Sequence, residues 1–264
     1  MNWLRWIQAG AIATTILVSG QQADLDMHFE REDLTFSLHE PILASLRVSN
    51  RSSQSLKVDF GAGYREAFRL SVIEPDGQRR ALPPYPIQEG MTEVGQEEIA
   101  SGKSYTRMMI LNEWLGFTTP GIYQLSVALP EIRASAEIRI TILARDARRL
   151  NKVCAELAQA ALKTDDFGEA LLLTRALGFA VDPEAVPYLQ KVASKNDGLT
   201  PLAVEGLIRI GNRNAVDALQ DLAGHPSASI ATIARGGLGM IRHNTKDASL
   251  KKVIDRFLAN EVRL

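Results

Sequence analysis

Four residues near the start of the chain have the types and the alternation of a metal-binding strand. Asp24, Asp26, His28 and Glu30 alternate with apolar residues, which places all four on one face of a predicted strand, about 7 Å apart. Carboxylates and imidazoles bind metals, but this spacing is too wide for all four to reach one ion. We therefore predict a solvated edge strand whose charges deter aggregation. A surface calcium site is the alternative, and no metal or cofactor is assigned.

Two aromatic residues form the candidate binding site. Trp114 and Phe117 lie in the sequence WLGF, which connects two predicted strands. Exposed Trp and Phe side chains are typical anchors of interfaces, and they could also stack on a carbohydrate. The alternative is that both rings fold under the loop and fill the end of the core.

Catalytic signatures are missing from the sequence. It lacks the patterns G-x-S-x-G, H-E-x-x-H and C-x-x-C, and it contains four His residues. The single cysteine, Cys154, lies in a run with helical apolar spacing and is far in sequence from any His. We predict that it is a small buried hydrophobic residue and not a nucleophile. The chain is predicted not to be an enzyme, and a hydrolase built on carboxylates is the weaker alternative.

Three glycines interrupt a predicted helix near the C-terminus. Gly236, Gly237 and Gly239 each cost about 1 kcal/mol relative to Ala in a helix interior. Close helix contact or a bend would offset this cost. A phosphate-binding loop is not indicated, because no strand precedes the glycines and the spacing of such loops is absent.

The N-terminal segment has the layout of a signal peptide. Residues 1–20 carry one charge, Arg5, followed by an apolar run over residues 7–18 and then by small residues. The run is shorter than the roughly 20 residues that cross a bilayer. We expect cleavage after Gly20 or Ala23 and a secreted or periplasmic protein without membrane insertion. An uncleaved N-terminal membrane anchor is the alternative.

Residues 24–143 have the period of β-strands. Apolar and polar residues alternate over residues 42–49 and 135–142. Shorter runs of the same kind cover residues 34–38, 56–60, 68–72, 105–111 and 123–127, separated by turn sequences. Many short strands without helices between them indicate an antiparallel β-sandwich. Residues 81–95, which contain three prolines, are predicted to be a long loop.

Residues 144–264 have the period of helices and contain a repeat. The sequence ALLLTRALG of residues 170–178 recurs as AVEGLIRIG 33 residues later, and a third copy starts at Ala234, 31 residues further on. The second helix recurs as well, because AVPYLQKV of residues 185–192 aligns with AVDALQDL 30 residues later. Helix pairs repeated about every 30 residues indicate an α-solenoid, in which stacking of the units provides the core.

Both halves resemble known families. In residues 203–211 and 215–222 the helical half resembles HEAT repeats, although the third copy carries Arg242 where Gly211 stands in the second, so its turn is expected to differ. The strand half is similar to bacterial immunoglobulin-like (Ig-like) extracellular modules in the sequence ILASLRVSNRSSQSLKVDF and in the strand that begins Pro120-Gly121-Ile122-Tyr123. These resemblances imply recognition or spacing roles.

Composition and charge complete the prediction. The 264 residues are 45% hydrophobic with a net charge of −1, which gives no global attraction to nucleic acid. Residues 24–143 carry 12 Lys and Arg against 17 Asp and Glu, and residues 144–264 carry 17 against 14. We predict a protein-binding or scaffolding module with a protein partner. Inhibition of an extracellular protease and carbohydrate binding are the alternatives.

Overall fold

The computed structural model describes residues 14–15, 23–29, 33–61, 67–82, 95–196 and 198–261. Contacts divide the chain into two compact units. One contains the residues up to Leu38 and Ile42–Ala144, and the other contains His39–Pro41 and Arg145–Leu264. Apart from residues 14–15, the predicted signal peptide lies outside the described residues, as do residues 83–94 of the predicted proline-rich loop.

The first unit is built of strands. In chain order they are β1 (Thr14–Thr15), β2 (Ala23–Phe29), β3 (Thr35–Ser37), β4 (Leu43–Asn50), β5 (Leu56–Asp59), β6 (Arg69–Ile73), β7 (Arg79–Ala81), β8 (Gln96–Ile99), β9 (Ser104–Ile110), β10 (Gly121–Leu129) and β11 (Ala134–Leu143). Single 3-10 turns follow β9 and β10, at Leu111–Glu113 and Pro130–Ile132. The predicted β-rich half is confirmed, and each predicted run contains a strand.

Two sheets of this unit enclose one apolar core. The larger has the strand order β1-β11-β10-β6-β7, with β3 also paired to β11, and the smaller has the order β2-β4-β9. Strands β5 and β8 form a separate pair. Burial alternates along β10 and β11, because one face of each strand contributes to the core that both sheets share.

One pairing differs from the predicted antiparallel arrangement. Strand β3 runs parallel to β11, with Thr35 opposite Thr141, while the other strand pairs of the described residues are antiparallel. The physical reason is that no hairpin joins β3 to β11, and only a hairpin forces neighbouring strands to run in opposite directions. The β unit is therefore mixed at this edge.

The second unit contains seven α-helices in the part of the chain that the structure describes. They are α1 (Ala147–Lys163), α2 (Phe167–Gly178), α3 (Val186–Lys195), α4 (Thr200–Ile210), α5 (Arg213–Ala223), α6 (Ala228–Asn244) and α7 (Ala248–Glu261). Side chains of Asp146, Asp166 and Asn212 accept hydrogen bonds from the first backbone N–H groups of α1, α2 and α5. No helix among these residues has the length and apolar character needed to cross a membrane.

The seven helices stack in two layers. Helices α1, α3, α5 and α7 pack side by side and form the odd-helix layer, while α2, α4 and α6 form the even-helix layer. The repeats seen in the sequence coincide with α2, α4 and α6 for the first helix and with α3 and α5 for the second. The predicted helical half is therefore confirmed.

The turns that follow the first helix of each repeat differ between the second and third copies, as the sequence predicts. Helix α4 ends at Gly211, which adopts the left-handed conformation at φ 56° and donates its N–H to the Leu207 carbonyl. In the third copy Arg242 stands in this place, and α6 continues to Asn244 before it ends. A residue with a Cβ disfavours the left-handed conformation that ends α4 at Gly211. The helix of the third copy therefore continues for two residues beyond Arg242.

Glycines set the distance between stacked helices. A Cβ placed on Gly206 of α4 would lie 2.7 Å from the Cα of Gly178 in α2, and a Cβ on Gly237 of α6 would lie 2.7 Å from Val204 Cγ1. The close contact expected for the glycines of α6 is thus present at Gly237. At Gly236 and Gly239 no atom lies within 4 Å of an added Cβ.

These positions give a matched test of the stacking. We expect Gly206→Ala to lower the free energy of unfolding by about 1–3 kcal/mol, because the added methyl overlaps α2. Gly236→Ala should raise it by up to about 1 kcal/mol, because Ala favours the helix and meets open space. Urea denaturation of both variants measures the difference. Stabilisation by both substitutions would contradict the close approach of α2 and α4.

Candidate functional site

Three of the four residues weighed as calcium ligands lie on β2, at one end of the strand order of the smaller sheet. Asp24 is buried and forms an ion pair with Arg51, and Asp26 and His28 follow it on the same strand. Glu30 lies outside the described residues. Within the ranges that the structure describes, no three His, Cys, Asp or Glu side chains lie together as ligands of one ion.

The candidate binding aromatics belong to the end of the β core. Trp114 follows the 3-10 turn after β9 and is 8% exposed. Phe117 is half-buried, and its ring meets the Tyr123 ring edge-to-face, with 5.1 Å between the centroids. The Tyr123 hydroxyl donates to the Thr119 carbonyl at 2.9 Å. The rings therefore fold under their loop, which was the stated alternative, and their role in binding stays a prediction.

The second unit contains a cluster of buried ion pairs. Glu40 and Asp182 are each 2% exposed. Arg149 Nε donates to Glu40 at 2.6 Å, and Arg145 donates to both oxygens of Asp182 at 2.6 and 2.8 Å. His39 Nδ1 lies 2.6 Å from the Val181 carbonyl oxygen. Each buried carboxylate is thus matched by a guanidinium, as burial of a charge requires.

This cluster also fixes the protonation of its neighbours. Burial opposes ionisation of Asp182, but the hydrogen bonds from Arg145 and from the Glu184 N–H outweigh it and hold the pKa of this carboxyl below its usual value. Burial, and then the charges of Asp182, Glu184 and Glu40, raise the pKa of the Cys154 thiol to about 12. The thiol is fully buried in α1, so it stays protonated and packs as a hydrophobic residue. We assign the cluster a structural role.

An open groove lies between α3 and α5 in the odd-helix layer. It has a volume of about 390 Å³ and is lined by Pro187, Gln190, Lys191 and Ser194 of α3, by Asp221 and Leu222 of α5, and by His225 in the turn after α5. The α3 residues are spaced by three or four positions, so they share one face of the helix. The helices position six of the seven lining residues, and the turn between α5 and α6 positions His225.

Polar contacts join neighbouring helices along the same layer. The Tyr188 hydroxyl donates to the Asn151 side chain at 3.0 Å, which links α3 to α1. Gln190 Nε2 donates to Asp221 Oδ2 at 3.0 Å across the groove, which links α3 to α5. These contacts hold the edges of the groove in place while Lys191, Ser194 and His225 remain around its opening.

Sequence reasoning did not single out the groove residues. A signal was present, because Lys191 and Asp221 occupy equivalent positions of the second helix in two copies, 30 residues apart, and carry opposite charges. A charge that inverts at an equivalent position distinguishes a surface position from a core position of the repeat. That the two face one opening follows only from the stacking of α3 on α5.

Comparison with known proteins gives distant structural likenesses. No protein family matches the sequence, and no curated protein matches it. A β-glucosidase from Listeria innocua in complex with isofagomine is 9% identical, with a TM-score of 0.30, over 47% of this chain and 16% of that chain. A β-glucosidase from Erythrobacter marinus is 16% identical, with a TM-score of 0.29, over 47% of this chain and 16% of that chain.

A smaller protein has a similar likeness. The CARDB domain of the PF1109 protein from Pyrococcus furiosus is 8% identical, with a TM-score of 0.28, over 46% of this chain and 94% of that domain. The chain spans about one sixth of the first glucosidases it matches. At these identities and TM-scores the likenesses decide neither the family nor the activity of this chain.

The lowered pKa of Asp182 predicts an acid-dependent stability. The folded state stabilises the ionised form of Asp182. The ionised carboxylate therefore adds to the free energy of unfolding above the carboxyl pKa of the unfolded chain, near 4, and this stabilisation is lost as the pH falls through the lower carboxyl pKa of the folded state. Asp182→Asn should lower the free energy of unfolding at pH 7, and its deficit relative to the wild type should shrink as the pH falls below 4. Urea denaturation across this range measures it.

The control for this test is Asp217→Asn, which breaks an exposed pair with Arg213. Exposed ion pairs contribute less than about 1 kcal/mol to the free energy of unfolding. Asp217→Asn should therefore change stability little at pH 7 and at pH 3. A deficit of Asp182→Asn that persists unchanged at pH 3 would contradict the assigned ionisation.

Burial of Trp114 predicts a stability effect of its replacement. Trp114→Ala should lower the free energy of unfolding by about 3–5 kcal/mol, because it leaves a cavity at the end of the β core. Ile122→Ala is the control, since Ile122 is 61% exposed and its truncation should cost under about 0.5 kcal/mol. Equal midpoints of urea unfolding for the two variants would show that the Trp114 ring is outside the core.

Proposed function

We propose that this chain is a secreted or envelope protein without enzymatic activity, which binds another protein through its helical unit. In this proposal the β unit is an Ig-like module and the helical unit is a short HEAT-like solenoid, as the sequence resemblances imply. The observation that carries the proposal is the open groove between α3 and α5, whose lining side chains are held by stacked helices. Stacked helices offer extended surfaces of this kind to partners.

The character of the groove favours a protein segment over a small molecule. Small-molecule sites are enclosed and mostly apolar, whereas this groove is open and carries Lys191, Asp221 and His225 beside the apolar Pro187 and Leu222. Rims of protein interfaces have this mixture of charged, polar and apolar side chains. A segment of a partner can lie along the groove and remain connected on both sides.

Two features of the described residues support a role without chemistry. The clearly perturbed groups in the helical interior, Asp182 and Cys154, are paired or buried and do not line the groove. The acceptor oxygens of Asp182 are engaged by Arg145 and by the Glu184 backbone N–H. Neither group is free to act on a substrate as an acid, base or nucleophile.

The alternative functions have less support. Carbohydrate binding through Trp114 would require a ring face that is free to stack, and the ring is packed in the β core. Inhibition of a protease by residues 81–95 concerns a segment that lies mostly outside the described residues. The proposal of secretion is based on the N-terminal sequence alone. Two residues of that segment, Thr14 and Thr15, pair with Glu137 and Ala136 of β11.

The test is a capture experiment with a variant that blocks the groove. The purified chain is immobilised and exposed to an envelope extract and to culture medium from its source. We expect a reproducible protein partner for the wild type and at least a tenfold loss for Ser194→Trp, because an indole at the groove lining fills the opening. Quantitative mass spectrometry of the bound fraction measures the loss.

Ser229→Trp is the matched control. Ser229 is exposed on α6 in the even-helix layer and does not line the groove, so this variant should retain the partner. Circular dichroism and urea unfolding check that both variants fold. Equal capture by wild type and Ser194→Trp would overturn the proposed function.

A further inference from the structure

Strand β11 has two partners on the edge that faces away from β10. In the larger sheet β10 pairs with one edge of β11 along nearly its whole length. On the other edge β3 pairs with residues 141–143, and β1 pairs with Ala136 and Glu137. In the part of the chain that the structure describes, β1 is therefore the strand that covers this edge over residues 134–140.

The backbone of β11 presents alternate residues to this edge. Thr141 donates its N–H to the Leu34 carbonyl at 2.9 Å, so its backbone groups point away from β10. Backbone groups alternate in direction along a strand, and the register of β11 with β10 is continuous. The residues that direct their N–H and C=O groups to the same edge as Thr141 are therefore Ser135, Glu137 and Arg139.

This alternation defines the contact between β1 and β11. Thr14 lies opposite Glu137, and Thr15 lies opposite Ala136, in an antiparallel register. Because the backbone groups of Glu137 point to this edge, Thr14 and Glu137 form the hydrogen-bonded pair, in which each N–H donates to the other carbonyl. Thr15 and Ala136 form the non-hydrogen-bonded pair. The N–H of Thr14 therefore points at β11, and the N–H of Thr15 points away from it.

The edge over residues 134–140 would be a liability without a covering strand. Seven residues of an antiparallel strand span about 24 Å, and an open edge of this length is a template for pairing with other chains. Prolines and bulges protect such edges in many proteins. The sequence ASAEIRI of these residues contains no proline, and its continuous register with β10 contains no bulge. A covering strand is the protection that the structure shows.

The N-terminal segment has the composition of such a strand. Residues 7–18, with the sequence IQAGAIATTILV, include six β-branched residues and neither a proline nor a charge. Residues of this kind favour strands. The segment is joined to β2, which begins at Ala23, and β1 contacts β2 within the same unit. This connection gives the segment an effective concentration on the order of millimolar at the edge of β11.

We infer that the edge of β11 over residues 134–140 is an acceptor site for an extended strand, and that its occupant is this chain's own N-terminal segment, paired antiparallel through Thr14. The predicted signal peptide thus has a second role, because it closes the larger sheet for as long as the chain carries it. Cleavage after Gly20 or Ala23 removes β1 and opens the site. This inference concerns the β unit and does not depend on the groove of the proposed function.

Amide hydrogen exchange, followed by NMR, tests the pairing at single residues. The full chain is produced without export, so that residues 1–20 are retained, and the N–H of Glu137 should then be protected. Thr14→Pro removes the donor that points at β11, so this N–H should exchange at least about tenfold faster. Thr15→Pro is the matched control, because proline is tolerated where the N–H of an edge strand points away. It should change the exchange rate less than about threefold.

Ala136 is the internal reference of this experiment. Its N–H points at β10, so it should remain protected in the wild type and in both proline variants. Equal exchange of the Glu137 N–H in Thr14→Pro and Thr15→Pro would overturn the inference. An unprotected Glu137 N–H in the wild type, beside a protected Ala136 N–H, would overturn it as well.

A peptide added in trans tests the acceptor site directly. A synthetic peptide of residues 9–18 with a tail of lysines, added to the full-length Thr14→Pro variant, should restore protection of the Glu137 N–H. The same peptide with the Thr14→Pro substitution should not, because it lacks the donor. Equal restoration by both peptides, or by neither, would overturn the inference.

Two other occupants are outcomes of the same measurements. If protection of the Glu137 N–H in the wild type disappears on dilution, a second copy of the chain covers the edge and the inference fails. If this N–H is unprotected while the chain sediments with phosphatidylcholine vesicles through residues 1–20, the segment is a membrane anchor and the inference fails. Capture of a partner by the groove is measured separately with Ser194→Trp, so either claim can fail while the other stands.

Discussion

The close approach of α2 and α4 at Gly178 and Gly206 is the constraint on which the helical unit depends. Neither position has room for a side chain, because an added Cβ on either would press against the Cα of the other. The even-helix layer is therefore spaced by backbone contact at this point. Leu189 of α3 and Leu207 of α4 are buried only when the helices stack. The spacing of α3 and α5, and so the width of the groove between them, follows from the same stack.

Charges in this unit divide according to burial. Glu40 and Asp182 are out of contact with water, and each has an arginine within hydrogen-bond distance, because an unpaired buried charge would destabilise the fold. At the surface no such requirement holds, since water solvates a lone ammonium group at little cost. Cations such as Lys191 can therefore stay exposed without an ion pair. The buried cluster therefore supports the fold.

Much of the fold could be predicted from the sequence, and little of the site. Strand positions in the first half and helix positions in the second followed from apolar periods of two and 3.6, and the altered third turn followed from Arg242 in place of Gly211. The parallel pairing of β3 with β11 did not, because residues about 100 apart in sequence meet there. The burial of Trp114 could not be predicted for a related reason. A loop has no periodic pattern of apolar residues, so its sequence does not indicate whether an aromatic side chain points into the core or away from it.

The sequence by itself determined a strand-rich first half, a helical second half with a repeat of about 30 residues, and a single cysteine without a catalytic partner. Only the tertiary structure decided that Lys191 and Asp221 face one opening and that Asp182 is buried beside Arg145. It also decided that Gly237 meets a neighbouring helix while Gly236 does not. Periodicity reports which face of an element is apolar. Which elements then meet depends on contacts between distant residues, and these are fixed only when the helices and sheets pack.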